Sequence, residues 1–210
     1  MALGSFGIKE VADVRFYPTG SITYNKAAGT LTVDTSKLTD NKPDLEFTTL
    51  KVSNLEFTAE QADARGGKGN AKLISWDHSR ETTLTLEDAL LSADCLKKLF
   101  GSTASDKGIT IGTNSFPKNY SVVGVTFARD QETGDDHLFT FYVPNAKIGS
   151  ELTLTMGADG DPTVFNMTLN VLRASKNDDT MVALIPAESK YEKGESETSI
   201  FDQIITKSGT

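Results

Sequence analysis

The sequence predicts a mainly β protein: an antiparallel β-sandwich or barrel with one short packed helix, a long inter-strand loop and terminal arms. Apolar and polar side chains alternate over several segments, and turn-forming residues separate these segments. Helix signals are limited to one segment, so the helical crossovers that parallel strands need are lacking. We expect a single domain over residues 1–186 with a loop extension over about 58–72, followed by a C-terminal arm over 187–210.

The first half of the chain contains a hairpin pattern in "SITYNKAAGTLTVD", residues 21–34. Ile22 and Tyr24 alternate with polar residues, a turn-forming stretch follows, and the alternation resumes with Leu31 and Val33. In "TTLKVSNLEFTAEQ", residues 48–61, the apolar positions shift by one residue. That shift predicts a β-bulge near Ser53 or Asn54.

The second half contains four further alternating segments and a fifth apolar run at residues 180–186. We expect an acidic turn around Gly134, a strand that ends at Pro144, and a turn over residues 157–162. The inward-facing positions of the four segments are Val123, Val125 and Phe127; Phe139, Phe141 and Val143; Leu152, Leu154 and Met156; and Phe165, Met167, Leu169 and Val171.

The helix is predicted in "SADCLKKLFG", residues 92–101. Ser92 suits the N-cap and Gly101 suits the C-terminal end, because serine accepts from free backbone amides and glycine adopts positive φ. Lys97 and Lys98 lie near the negative end of the helix dipole. The apolar side of the helix consists of Ala93, Leu96, Leu99 and Phe100.

A glycine-rich stretch lies between two strand patterns, in "ARGGKGNAKLISWDHSRE", residues 64–81. A phosphate-binding loop needs four residues between its glycines and then lysine followed by serine or threonine. Here Gly66 and Gly67 are adjacent and Lys68 is followed by Gly69, so the motif is absent. We therefore interpret residues 58–71 as a mobile loop, too long and polar to be only a connector.

Composition excludes several classes of function. The formal charge is −8 and the pI is near 4.8, which disfavours a surface that binds nucleic acid or an anionic membrane. Cys95 is the only cysteine, so no disulfide joins two parts of the chain. The first ten residues lack the pattern of a secretory signal, and no stretch is apolar enough to span a membrane. We expect a protein made in a reducing compartment, without membrane contact.

The sequence also lacks the residues that catalysis or metal binding requires. Two histidines, His78 and His137, have no spacing to Cys95 that suggests a zinc site. The cysteine falls on the predicted helix among apolar residues, where a structural thiol is expected. The acidic stretches at residues 130–136 and 157–162 lack the spacing of a calcium loop. We expect no catalytic residues, no metal and no cofactor, and hence no enzyme.

Residues 139–172, "FTFYVPNAKIGSELTLTMGADGDPTVFNMTLNVL", resemble the tail tube (major tail) proteins of long-tailed bacteriophages. Residues 64–92 are similar to such proteins from phages of Gram-positive hosts. The resemblance implies a virion subunit, assembled in the host cytoplasm, of which six copies form a ring and stacked rings form a tube. It also implies a sheath or terminator protein and a tape measure in the lumen as partners, with the genome passing through the lumen during ejection.

Three groups of residues are candidates for this role. An inter-subunit loop would contain Arg65, Gly66, Gly67, Lys68, Gly69 and Lys72. The C-terminal arm would dock on a neighbour through Ile200, Phe201, Ile204 and Ile205. The lumen would carry carboxylates that repel DNA, because fixed cations there would bind phosphates and slow transit. The candidates for the lumen are Glu46, Glu56, Asp130, Glu132, Asp135 and Asp136.

Two alternatives remain open on the sequence alone. Another capsid-associated β protein, such as a head decoration or tail terminator subunit, would share this acidic, cysteine-poor composition. A carbohydrate-binding sandwich would need a row of exposed aromatic residues, whereas Trp76 is the only tryptophan.

Overall fold

The computed structural model describes residues 6–88, 93–101, 103–105, 108–154, 165–190 and 197–208. In chain order the strands are β1 (Phe6–Pro18), β2 (Ile22–Asn25), β3 (Thr30–Asp34), β4 (Leu45–Phe47), β5 (Leu50–Gly66), β6 (Ala71–Asp88), β7 (Thr103–Ser105), β8 (Gly108–Thr110), β9 (Asn119–Asp130), β10 (Asp136–Leu154), β11 (Phe165–Leu172), β12 (Ala183–Lys190) and β13 (Ile205–Ser208). The helices are α1 (Ala93–Phe100) and α2 (Glu197–Ile204), with a 3-10 turn over Thr35–Lys37.

Eight of these strands form one antiparallel sheet in the order β4-β1-β9-β10-β11-β6-β5, with β12 also paired to β10. The sheet curls, so that β1 and β5 come into contact. Among the described strands, however, β4 and β5 lie at the two ends of this order and do not pair with each other. The sheet therefore does not close into a barrel. The predicted mainly β, antiparallel fold is confirmed.

A second, three-stranded sheet covers one face of the first. It has the order β13-β3-β2, and the β2–β3 hairpin is the one that the sequence predicts. The strand β13 pairs in parallel with β3, with Ile205 opposite Leu31. The strands β7 and β8 form a separate small hairpin.

The large sheet has an apolar core on each face. On one face, residues from β1, β4, β6, β9, β10 and β11 pack around Cys95 and Leu99 of α1. On the other, residues from β9, β10 and β12 pack against the small sheet and α2. Because both faces are covered, residues 120–128 of β9 are buried throughout instead of alternating. The predicted packed helix is confirmed, but Cys95 and Leu99 are its core residues, whereas Leu96 and Phe100 of the predicted apolar side are partly exposed.

Three expectations about the elements are corrected. Pro144 does not end its strand: β10 continues to Leu154, and a register shift between Val143 and Ala146 accommodates the proline. The bulge in β5 lies between Leu50 and Val52, slightly earlier than predicted. A second helix, α2, forms within the predicted C-terminal arm, whereas the sequence predicts only one helix. Ser92, Met156 and the turn at 157–162 lie outside the described residues.

The prediction of a mobile loop over residues 58–71 is wrong. β5 extends to Gly66 and β6 begins at Ala71, so only residues 67–70 form a connection. The polar composition of this stretch reflects exposure of both faces of a β-hairpin, because no third element of the described part of the chain covers it.

Candidate assembly surface

The outer part of the β5–β6 hairpin projects from the sheet, and we call residues 59–80 the arm. Pairing between β6 and β11 ends at Thr83 with Asn170, so beyond that point β5 and β6 are paired only with each other among the described strands. No residue of the arm is buried. Such a ribbon keeps its shape through cross-strand contacts and gains little from a core.

The glycines of the arm form its tip. Gly67 and Gly69 have φ values of 80° and 88°, and Asn70 has 52°, all in the left-handed region that favours glycine and asparagine. The amide of Asn70 donates to the carbonyl oxygen of Gly67 at 3.2 Å and closes the turn. These glycines therefore serve hairpin reversal, and Lys68 lies exposed at its end.

One set of polar groups on the arm converges on Asp63. Lys72 Nζ lies 2.7 Å from Asp63 Oδ1, Ser75 Oγ donates to the same oxygen at 2.9 Å, and Arg65 Nη2 lies 3.4 Å from Oδ2. The hydrogen bond from Lys72, followed by that from Ser75, lowers the pKa of the Asp63 carboxyl. Two of the three predicted interface cations are thus held by a carboxylate of the same arm.

The opposite set of arm residues is apolar. Ala62 lies directly opposite Trp76, and Ala64 lies directly opposite Ile74. Residues paired across an antiparallel ladder share a face, and so do positions two apart, so these four side chains form one continuous patch. Ile74 and Trp76 are each 53% exposed. We call this patch the apolar face of the arm.

The predicted C-terminal docking residues have another position. Ile200, Phe201 and Ile205 are buried in the chain's own second core, and Ile204 packs against it. The guanidinium of Arg15 lies 4.0 Å from the centroid of the Phe201 ring. The expectation that this segment docks on a neighbouring copy is therefore wrong in this structure, because its apolar side chains cover the chain's own sheet.

The six candidate lumen carboxylates lie in three separate places. Glu46 lies on β4, where it pairs with Arg15 at 3.1 Å, and Glu56 is exposed on β5 at the other end of the strand order. The four others lie in or beside the β9–β10 turn, and they are Asp130, Glu132, Asp135 and Asp136.

The β9–β10 turn is held by two of its own carboxylates. The backbone amides of Thr133 and Glu132 donate to Asp130, which lowers the pKa of Asp130. Asp136 accepts two hydrogen bonds from Arg129, at 2.8 and 3.0 Å. Within the described residues, no group of three or more His, Cys, Asp and Glu side chains has an arrangement that could hold a metal ion.

Sequence reasoning missed Asp63 and the apolar face of the arm. Part of the signal was present, since Ala62 and Ala64 alternate with polar residues, as do Ile74 and Trp76. A tight turn at residues 67–70 alone would have paired Ala64 with Leu73. The observed pairing needs an extra residue in β6 near Leu73, which the sequence does not mark.

A family model described as the YomU/Tube protein family matches residues 28–103 and 99–185. The chain belongs to the YomU/Tube protein family. This membership supports a virion structural role, rather than an enzymatic one, as the sequence predicted. No match to a curated protein was found. No helix among the described residues is long and apolar enough to cross a membrane.

One solved structure to which the chain is similar is a component of the cryo-EM structure of the anti-feeding prophage baseplate, 6-fold symmetrised. The identity is 11%, the TM-score is 0.44, and the similarity covers 90% of this chain and 100% of that chain.

Proposed function

We propose that this YomU/Tube protein is a subunit of hexameric rings that stack into a phage tail tube, through which DNA is ejected. The observation that carries the proposal is the arm, a two-stranded ribbon that projects from the sheet with both faces exposed. At about 3.3 Å per residue, its eight residues from Ala59 to Gly66 span roughly 26 Å. A ribbon of that length reaches well onto a neighbouring subunit.

The physical case for assembly is that the arm is incompletely stabilised alone. A two-stranded hairpin without a packed face is marginal in water, and burying its apolar side chains against another surface stabilises it. A contact in which one surface of a subunit meets a different surface of the next one closes into a ring or continues as a helix. A projecting arm makes such a contact naturally.

The remaining parts of the proposal concern the partners of the tube. A sheath or terminator protein would contact its outside or its end, a tape measure would occupy the lumen, and assembly would take place in the host cytoplasm. DNA would pass without specific binding, because carboxylates on the bore repel phosphates. Glu46, Glu56 and the carboxylates of the β9–β10 turn are candidates for that bore.

Electron microscopy of the purified chain tests whether its copies assemble into a tube. Negative-stain images at increasing protein concentration should show stacked rings with sixfold symmetry and a central channel. A reconstruction of such tubes would show whether the six candidate carboxylates face the bore. Particles that remain single subunits at every concentration would contradict the proposal.

A variant with a shortened arm tests the carrying observation. Replacing residues 61–77 by Asn-Gly leaves Glu60 and His78, which are paired opposite each other, joined by a two-residue turn. The variant should retain the circular dichroism and cooperative unfolding of the full chain, since both cores are intact, but should form no tubes. Tubes formed as readily as by the full chain would show that the arm is not an assembly element.

A further inference from the structure

We infer that the arm docks on a second copy of this chain through its apolar face, and that its basic tip has only a secondary role in that contact. The inference rests on the assembly proposed above and specifies which atoms of the arm make it. The apolar face consists of Ala62, Ala64, Ile74 and Trp76.

The basic residues of the arm are poorly suited to anchor the contact. Lys72 and Arg65 already lie within ion-pair distance of Asp63, at 2.7 and 3.4 Å. A partner carboxylate would have to displace an existing one, so the exchange gains little. Lys68 lies at the exposed tip, where a new ion pair would be screened by salt and would contribute little.

The apolar face is suited to this role. Leu55 packs against the first core and lies an even number of positions from Asp63 on the same strand, so the core-facing side of the sheet continues into the polar set around Asp63. The apolar face lies on the other side of the ribbon, where Ile74 and Trp76 remain half exposed. Tryptophan is among the residues most often found at energetically dominant interface positions, and its neighbours Ala62 and Ala64 are small enough to let a partner surface approach the ring.

Charge identifies the occupant as a second copy. Lys68 at the tip is not among the cations that Asp63 holds, and the whole chain has a formal charge of −8. The arm therefore presents a positive tip to the acidic surface of another copy, which orients the approach. The apolar face of one arm is also small compared with the roughly 1,200–2,000 Å² of a stable interface. In a closed ring each copy both gives and receives an arm, so these small contacts add up.

The fluorescence of Trp76 tests the inference directly, because it is the only tryptophan of the chain. In dilute subunits its emission should be that of a water-exposed indole, open to quenching by acrylamide. On assembly the emission should shift to shorter wavelength and quenching should fall at least about threefold, as the ring moves from half exposed to buried. This measurement uses the unmodified chain and needs no variant.

Substitutions separate the two surfaces of the arm. Ala64→Glu places a carboxylate on the apolar face and retains Trp76, and it should raise the concentration needed for assembly at least about tenfold. Lys68→Gln removes the exposed tip charge and should change that concentration less than about threefold. Thermal unfolding monitored by circular dichroism should be the same for both variants, since neither residue is in a core.

The outcomes distinguish this inference from the proposed function. If tubes form while acrylamide still quenches Trp76, the inference is overturned and the proposed tube function still stands. The inference would also be overturned if Ala64→Glu assembled as readily as the unmodified chain and Lys68→Gln failed to assemble. That result would assign the contact to the basic tip. A Trp76 shift in small oligomers that never stack would support the inference and contradict the tube. A shift that requires addition of a different protein would overturn the assignment of a second copy as occupant.

Discussion

At the residue scale, Gly124 shows how the centre of the large sheet is packed on both faces. It lies directly opposite Phe141 in the β9–β10 ladder, and the Phe141 ring lies across it. A Cβ atom at position 124 would overlap that ring. The glycine is therefore needed for space and not for an unusual backbone conformation.

Replacing Gly124 by alanine should lower the free energy of unfolding by about 1–3 kcal/mol, because the Phe141 ring must leave its place in the first core. Urea denaturation measures the loss. Gly7→Ala on β1 is the matched control, since apart from its two chain neighbours no residue has an atom within 4 Å of a Cβ built there. Equal losses for the two variants would show that glycine flexibility, and not the ring, explains the effect.

The sequence predicts which residues of β9 and β10 are apolar, but it does not reveal that Gly124 must leave space for the Phe141 ring. Alternation marks Val123 and Val125 as inward-facing, and the structure buries both in the second core. The intervening position is equally buried because a second layer covers that face. A single strand's periodicity has no information about a layer contributed by residues far away in the chain.

At the element scale, the C-terminal helix and strand are an integral part of the fold. Phe201 is 1% exposed, contacts the Arg15 guanidinium through its ring and packs beside Ile200 and Ile205. The segment is anchored at its far end by β13, which pairs with β3. Its removal would uncover one face of the large sheet.

The substitution Phe201→Ala should therefore cost about 3–5 kcal/mol of stability, the usual loss for a large aromatic side chain in a core. Phe116→Ala is the matched control, since Phe116 is 73% exposed and its truncation should change stability by less than about 0.5 kcal/mol. Chemical denaturation of both variants gives the comparison. A small loss for Phe201→Ala would mean that this segment is only loosely attached.

The two elements that sequence reasoning assigned to assembly had different outcomes for a common physical reason. In the C-terminal segment, the sequence shows which positions are apolar, but it does not show that they contact β3 near Leu31. In the arm neither face is buried, and the many polar residues make the stretch resemble a loop. Pairing partners are a tertiary property, and the local pattern leaves them open.

At the scale of the whole molecule, buried weak acids set a limit to stability at high pH. Burial raises the pKa of the Cys95 thiol from 9.0 to about 12, and it raises the pKa of Tyr120 and Tyr142 from 10.0 to about 12. In the unfolded chain these groups lose their protons at the lower values. The unfolded state is therefore favoured progressively as the pH rises above 9.0 towards about 12.

We expect the urea midpoint to fall steadily over that interval of pH. Well below pH 9.0 all three groups are protonated in both states, so they add no slope. The variant Tyr142→Phe removes one titrating group, along with a 3.1 Å hydrogen bond to the Ile22 carbonyl, and should show a lower midpoint at neutral pH but a shallower alkaline decline. An unchanged decline in this variant would show that the Tyr142 phenol does not contribute.

The fold class follows from the sequence because many strands contribute independently to the same pattern. Little helix, regular alternation and short turns exclude a parallel sheet, and no single segment decides the result. The order of strands, the curl of the large sheet and the position of the arm depend on contacts between distant segments, so they appear only in three dimensions.

The parallel pairing of β13 with β3 has a kinetic consequence. Thr35 and Ser208, which are joined by a hydrogen bond next to this ladder, are 173 residues apart in the chain. Bringing such distant segments together carries a large loop-closure entropy, and folds dominated by remote pairings reach the native state in milliseconds to seconds rather than microseconds. We therefore expect the second core to be completed late in folding, after the local hairpins have formed.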